Sequence, residues 1–344
     1  MEELTSRQQI ILALVVREYI NTARPVASQT VVEEYGLRVS SATVRNEMAY
    51  LEEAGYLTHL HTSAGRVPTE IGYRYFVERL MEEAELSTAE QRMIRHQFYQ
   101  VQMDVGEWMK LAAAVLARTA LTAAVVSPPK ARRGRFKQLE MIPVQGGMVL
   151  VVLVLQGGVV LQRMLGLNQP ATPDDLRQLG SRLTDMMSGL DVPGIQAKRP
   201  LLSPVQVLFI DAVVDMMERM DGPRETEIYR DGLLNILRQP EYGEPQHIRQ
   251  VIHVLESGQL LETLLAEAVP ASGVQIIIGG EGRWDELNDC SIVLARYGAI
   301  GEAIGSLGVL GPLRMPYGRA VSTVRYVADV LSELVHQFYG VPNE

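Results

Sequence analysis

The chain has one cysteine, Cys290, in 344 residues. A single thiol closes no internal disulfide and supplies no cysteine-rich zinc site, so a disulfide scaffold is excluded and a reducing, cytoplasmic setting is expected. Long apolar runs are also lacking: the longest pure one, Met148 to Leu155, falls far short of the ~20 residues that span a bilayer. The opening MEELTSRQQ is acidic and its apolar continuation is cut by Arg17, which does not match a basic secretory leader. Positive charge is scarce. The formal net charge is -9, and residues 1–80 hold eight Arg and no Lys against ten Glu. Such a protein does not coat nucleic acid indiscriminately, because that mode depends on many phosphate contacts from Lys and Arg. Any DNA binding has to be local and repeated in a dimer. The signatures of the common enzyme classes are missing too, with no nucleophile elbow, no zinc spacing and no phosphate loop ending in Lys-Ser/Thr. The glycines of YGAIGEAIGSLGVLG, at 298, 301, 305 and 308, miss the dinucleotide spacing and read as turns or a bend in a sheet. No enzyme and no cofactor is expected.

What is present describes a folded chain of two or three domains, with 47% apolar and 21% charged residues. Thr5-Ser6-Arg7-Gln8 is a capping box that opens a first helix, whose apolar face is Ile10, Ile11, Leu14 and Val15 and which ends before Arg24-Pro25. Ser28 is expected to cap a short second helix closed by Gly36. After a tight turn, Ser40 or Ser41 caps a third helix that ends at Gly55. YLTHLHTSAGRVPT then reads as a short hairpin, and Thr69 caps a fourth helix. Two capped helices, a short turn and a two-stranded wing make a winged helix-turn-helix, whose second helix lies in the major groove of DNA.

At 100° per residue the third helix turns Val44, Met48 and Leu51 to the core and presents Ala42, Arg45, Asn46 and Ala49, with Thr43 at the edge. Arg donates two bonds to guanine and Asn pairs with adenine, so Arg45 and Asn46 are the expected base readers. Ser40 and Ser41, at the positive end of the helix dipole, suit phosphate contacts. Glu52 and Glu53 at the other end would repel phosphates. The wing residues His61, Ser63, Gly65 and Arg66 can reach the backbone or the minor groove. An exposed helix face making ordinary surface bonds is the bland alternative for Arg45 and Asn46. His59 and His61 lack a third metal ligand nearby and read as plain wing residues.

Residues 84–118 continue in a helical pattern. Strands follow from Leu121: LTAAVVS, the basic loop KARRGRFK, LEMIPV, MVLVVLVL and VVLQRML, with Gly146-Gly147 and Gly157-Gly158 marking antiparallel hairpins. Residues 172–268 read as mostly helical, with Leu208, Ala212, Met216 and Met220 at four-residue steps. Strands return as VQIIIG, CSIVLARY and SLGVLG, before a helix from Tyr317 to Phe338. Methionines 186, 187, 216, 217 and 220 suit an adaptable partner surface or a core filling equally.

Two stretches resemble one family. PVASQTVVEEYGLRVSSATVRNEMAYLEEAGYLTHLHTSAGRVPTEIGYRYFV, with SSATVRNEM and HTSAGRVPT its sharpest pieces, is similar to the N-terminal signature of the heat-inducible transcription repressor HrcA family. IIIGGEGRWDELNDCSIVLARY and IGSLGVLGPLRMPYGRAVSTV resemble that family's C-terminal region. The resemblance implies an α+β protein with a winged helix-turn-helix at 1–82, connecting helices at 83–120, a discontinuous GAF-like domain at 121–165 and 246–344, and an inserted dimerisation domain at 166–245. It implies a homodimer that represses chaperone operons at an inverted repeat of double-stranded DNA called CIRCE and is supported by the chaperonin GroEL. A small-molecule-sensing regulator, with a metabolite in the C-terminal domain, is the alternative.

Overall fold

The computed structural model describes residues 4–36, 38–59, 65–82, 84–101, 104–131, 134–156, 158–167, 171–221, 227–267, 273–279, 283–299 and 303–339. Local signals account for the first elements. The Thr5 hydroxyl accepts from the Gln8 amide and the Gln8 side chain answers to the Thr5 amide, opening α1 (Ser6–Thr22). Helix α2 (Ser28–Tyr35) closes on Gly36 in the left-handed region, and α3 (Ser41–Glu53) is capped by Ser40. Two expectations need correction. Ala27, not Ser28, is the N-cap of α2, because Val26 is held extended by a bridge to Arg66 and the helix starts one residue early. Ile10 lies on the solvent side of α1, whose buried stripe is Ile11, Leu12, Leu14, Val15 and Val16.

Strands β1 (Leu57–Thr58) and β2 (Val67–Pro68) pair antiparallel, so Pro68 completes the hairpin as its last paired residue. Thr69 then caps α4 (Glu70–Tyr75), which runs into a π-helical turn over Phe76–Leu80. Helices α5 (Thr88–Gln100) and α6 (Val105–Ala120) follow, the first opened by a Ser87–Glu90 capping box.

The remaining elements, in order, are β3 (Ala123–Val126), β4 (Lys130–Ala131), β5 (Phe136–Val144), β6 (Met148–Leu155), β7 (Val160–Gly166), α7 (Pro173–Met187), α8 (Val192–Lys198), α9 (Pro204–Asp221), β8 (Tyr229–Asp231), α10 (Leu233–Leu237), α11 (Pro245–Glu256), α12 (Gly258–Glu267), β9 (Val274–Ile278), β10 (Cys290–Ala299), β11 (Ala303–Pro312) and α13 (Tyr317–Tyr339). They form two larger sheets. One has the order β8-β3-β11-β10-β9, with β4 also paired to β11; the other is β5-β6-β7. The chain divides into two compact units: 1–128 with 226–297 and 305–331, and 129–225 with 298–304 and 332–344.

In the first unit the strand pleat sorts side chains onto two covered faces. Ala123, Val125, Ile292, Leu294 and Leu310 meet the apolar sides of α10, α11 and α12. Their neighbours Ala124, Val126, Val293, Leu307 and Val309 are buried on the opposite face, where α6 packs on β3. In the second unit Phe136, Leu139, Val149, Val151 and Leu153 form a core with α7, α8 and α9.

This arrangement departs from the sequence-based borders at 165/166 and 245/246. The hairpins over 136–166 do not share a sheet with β9–β11; β5, β6 and β7 pair only with one another among the described residues, and α7 to α9 cover them locally. Within the expected helical stretch, β8 is a strand and pairs with β3. Met187, Met216 and Met217 are buried in the second unit's core, which favours the filling role.

Candidate nucleic-acid interface

The first three helices and the small hairpin bring most of the expected site residues together. Helix α3 rests on α1 and α2 through Val44, Met48 and Leu51, each almost wholly buried. Burial of such side chains stabilises by about 1.5–3 kcal/mol each. Glu47 adds a polar tie, accepting from Gln8 Nε2 at 3.2 Å and from Arg7 at 3.5 Å. The opposite side is open: Ser41, Ala42, Arg45, Asn46 and Ala49 are exposed and Thr43 is half-buried.

At the helix start, Ser40 Oγ accepts from the Thr43 amide at 3.1 Å and lies 2.9 Å from Thr43 Oγ1. That bond satisfies one of the free N–H groups of the first turn and leaves the others, with the positive end of the dipole, directed outward. Arg45 and Asn46 stand one turn further on. Arg38, exposed in the turn that leads into α3, is a further cation of this segment that the sequence reading did not single out. Only its position in the turn could have suggested it.

The hairpin that follows α3 has contacts the sequence did not suggest. His61 and Ser63 lie outside the described residues. Arg66 and Val26 exchange two backbone hydrogen bonds of 2.9 Å, so the hairpin is stitched to the segment before α2. Gly65 has a steric reason to be glycine: a Cβ there would lie 2.4 Å from the Val26 carbonyl carbon. Arg66 is not a free cation either. Its Nε donates to Glu52 Oε2 at 2.8 Å, and His59 Nδ1 hydrogen-bonds the other Glu52 oxygen. The Arg66 guanidinium, with His59 beside it, holds the Glu52 carboxyl below the usual carboxylate range against a weaker push from partial burial. Glu52, expected to repel phosphates, is thus ion-paired with Arg66 and braces the hairpin against α3. Its partners are seven and fourteen residues away, which no local pattern reveals.

Elsewhere, the glycines considered as a nucleotide loop stand in strands. Gly298 belongs to β10, and Gly305 and Gly308 to β11; a Cβ at 305 would strike the Tyr297 ring at 2.3 Å. Gly301 lies outside the described residues. Cys290 is buried beside Tyr242, and desolvation pushes its thiol up to about 11. Among the described residues no three His, Cys, Asp or Glu side chains gather as metal ligands, and no helix is long and apolar enough to cross a membrane.

Comparison with known proteins bears on the whole chain. Residues 106–321 match the family model described as the HrcA protein C terminal domain. Over 345 aligned residues the chain is 48% identical to the heat-inducible transcription repressor HrcA of Herpetosiphon aurantiacus, covering 98% of this chain and 97% of that one. Over 350 residues it is 45% identical to the protein of the same name from Roseiflexus castenholzii, covering 99% and 97%. A crystal structure described as that of a hypothetical protein at 2.2 Å resolution shares the fold, with a TM-score of 0.62 at 24% identity, over 98% of this chain and 100% of that one.

Proposed function

This chain belongs to the HrcA family of heat-inducible transcription repressors, and from that premise we propose that it represses as a homodimer, reading an inverted-repeat operator of the CIRCE type with two copies of α3. The observation that carries the reading is the polarity of α3. Its buried side is apolar, while its capped N-terminal half offers Arg45 and Asn46 to solvent. Arg45 would donate to guanine O6 and N7, and Asn46 would pair with an adenine edge. Ser40, Ser41 and Thr43 would hold phosphates at the helix start, while Arg66 and the wing residues His61, Ser63 and Gly65 would approach the neighbouring backbone. On this reading residues up to about 82 are a winged helix-turn-helix and the β8-β3-β11-β10-β9 sheet with its helices is GAF-like.

The second unit supports the dimer. The outer face of its sheet carries Ile142, Val144, Val160 and Met164 exposed, around the half-buried Leu150 and Val152 of β6. Ile142, Leu150 and Met164 lie side by side in register across the three strands. An apolar strip of this kind, rimmed by the exposed Gln138, Glu140 and Gln162 of the same face, marks a protein interface, and two copies meeting face to face would cover it. Two linked reading heads on a two-fold repeat gain a large effective concentration, which offsets the weak electrostatics of each head. Heat release follows if the dimer is marginally stable and regains operator binding with help from the chaperonin GroEL, as the family resemblance implies; equal recovery with and without chaperonin would sink that step.

A second reading rests on a groove of about 810 Å³ lined by Ala114, Arg118, Leu121, Arg230, Leu234 and Glu256. A metabolite held there would make the protein a ligand-sensing repressor, and calorimetry coupled to operator titration separates the two readings. The main test is titration of the purified protein against a duplex carrying the inverted repeat and against a scrambled duplex, at two salt concentrations. Selective binding of one dimer per repeat is expected; equal, weak binding to both duplexes would refute the operator reading.

A further inference from the structure

We propose that Arg314 is a positioning residue for operator reading, which locks the last turn of α1 to the C-terminal sheet and so fixes the direction in which α3 is presented. Arg314 stands in the turn between β11 and α13, with its side chain 12% exposed. Its guanidinium engages two stretches of chain, residues 239–241 and the end of α1, and so ties both to its own turn. It donates to both oxygens of Glu241, to Gln239 Oε1 at 2.6 Å, and through Nη1 to the Ile20 carbonyl at 3.1 Å. Ile20 lies in the last turn of α1, where carbonyls lack intrahelical partners and a cation is favoured by the helix dipole. A planar fork with five donors can tie three segments at once; an ammonium group cannot reproduce that geometry.

The lock does not act alone. Arg74 of α4 donates to the Ile276 carbonyl of β9 at 2.9 Å, and the buried rings of Tyr73 and Tyr317 lie 6.1 Å apart. Both α1 and α4 are therefore fastened to the sheet, and α3 is fastened to α1 through its buried face and Glu47. A dimer that reads two half-sites needs its heads held at one spacing, because a head that swivels accepts many spacings and loses the gain of linkage. This inference rests on the reading of α3 and of the dimer given above.

The test uses the full chain with Arg314→Lys and with the double change Arg314→Met, Glu241→Met. The double variant removes both charges and so leaves no unpaired buried ion; melting curves confirm that each variant is folded. Hydrogen exchange without DNA is expected to speed up ~10-fold at residues 17–22 while β3 and β11 keep their protection. On inverted repeats, the affinity at the preferred spacing is expected to fall ~10-fold and the preference over spacings one or two base pairs different to flatten, with binding to a single half-site unchanged within about twofold. Unchanged exchange at 17–22 with an unchanged spacing profile would overturn the proposal, as would an equal loss on half-site and full site. A parent protein that cannot tell the repeat from a scrambled duplex would refute the reading of α3, and the exchange at 17–22 would still decide the lock.

Discussion

Helix α3 and strand β6 each bury one side and leave the other uncovered, but the uncovered sides differ in kind. On α3 the buried residues are Val44, Met48 and Leu51, and the open ones are Ser41, Arg45 and Asn46. On β6 the buried residues are Val149, Val151, Leu153 and Leu155, and the other side is again apolar, with Met148, Leu150, Val152 and Val154. Burial alone therefore separates core from surface in both elements, while the chemistry of the surface separates the partners. A polar, cation-bearing face suits a groove lined by bases and phosphates, and an apolar face suits another protein.

The largest expected effect breaks the comparison on the strand. Val151→Asp places a carboxylate in the second unit's core and should cost about 4 kcal/mol or more, read from urea unfolding. Val152→Asp, one residue along, should cost the fold far less and instead weaken dimerisation by about 2 kcal/mol or more, a shift of at least ~30-fold in sedimentation equilibrium. Equal destabilisation by both would mean that the outer face is not an interface. On the helix, Arg45→Ala should cost ~1–3 kcal/mol per half-site in operator titrations and relax the base preference at one position, with an unchanged melting curve. Ser40→Ala should lower stability by about 1 kcal/mol through loss of the cap, measured by thermal unfolding.

The smallest effect is a pH dependence. The folded-state pKa of Glu52 is depressed, so its pairing with Arg66 and His59 contributes stability that is present above the ordinary carboxylate range and lost as pH falls through the lowered value. Glu52→Gln should flatten that acid limb in pH-dependent unfolding; an unaltered limb would show that the hairpin does not lean on Glu52.

What was legible from sequence follows the range of the forces involved. The Thr5–Gln8 box, the Thr69 cap and the Gly36 terminus act within a turn of helix and could be read directly, and the cap of α3 could be narrowed to Ser40 or Ser41, of which Ser40 is the one. The same holds for the β5-β6-β7 hairpins, whose turns are marked by paired glycines. The failures depend on partners far along the chain. The start of α2 is set by Val26 pairing with Arg66, and the Arg66–Glu52 pair joins residues fourteen apart that no local pattern links. Strand alternation reports which face is buried but not which sheet a strand joins, so nothing in the pattern of 136–166 reveals that its hairpins form a sheet of their own.

The buried thiol of Cys290 has a practical corollary. At neutral pH a thiol with a pKa near 11 exposes only ~0.01% thiolate, and burial withholds even that from reagents. The natural chain is thus close to silent toward maleimide chemistry. A cysteine introduced at an exposed position away from the apolar face of the β5-β6-β7 sheet, such as Ile10, would be the one reactive site per subunit, so a dye or spin label could report distances between copies with Cys290 left in place.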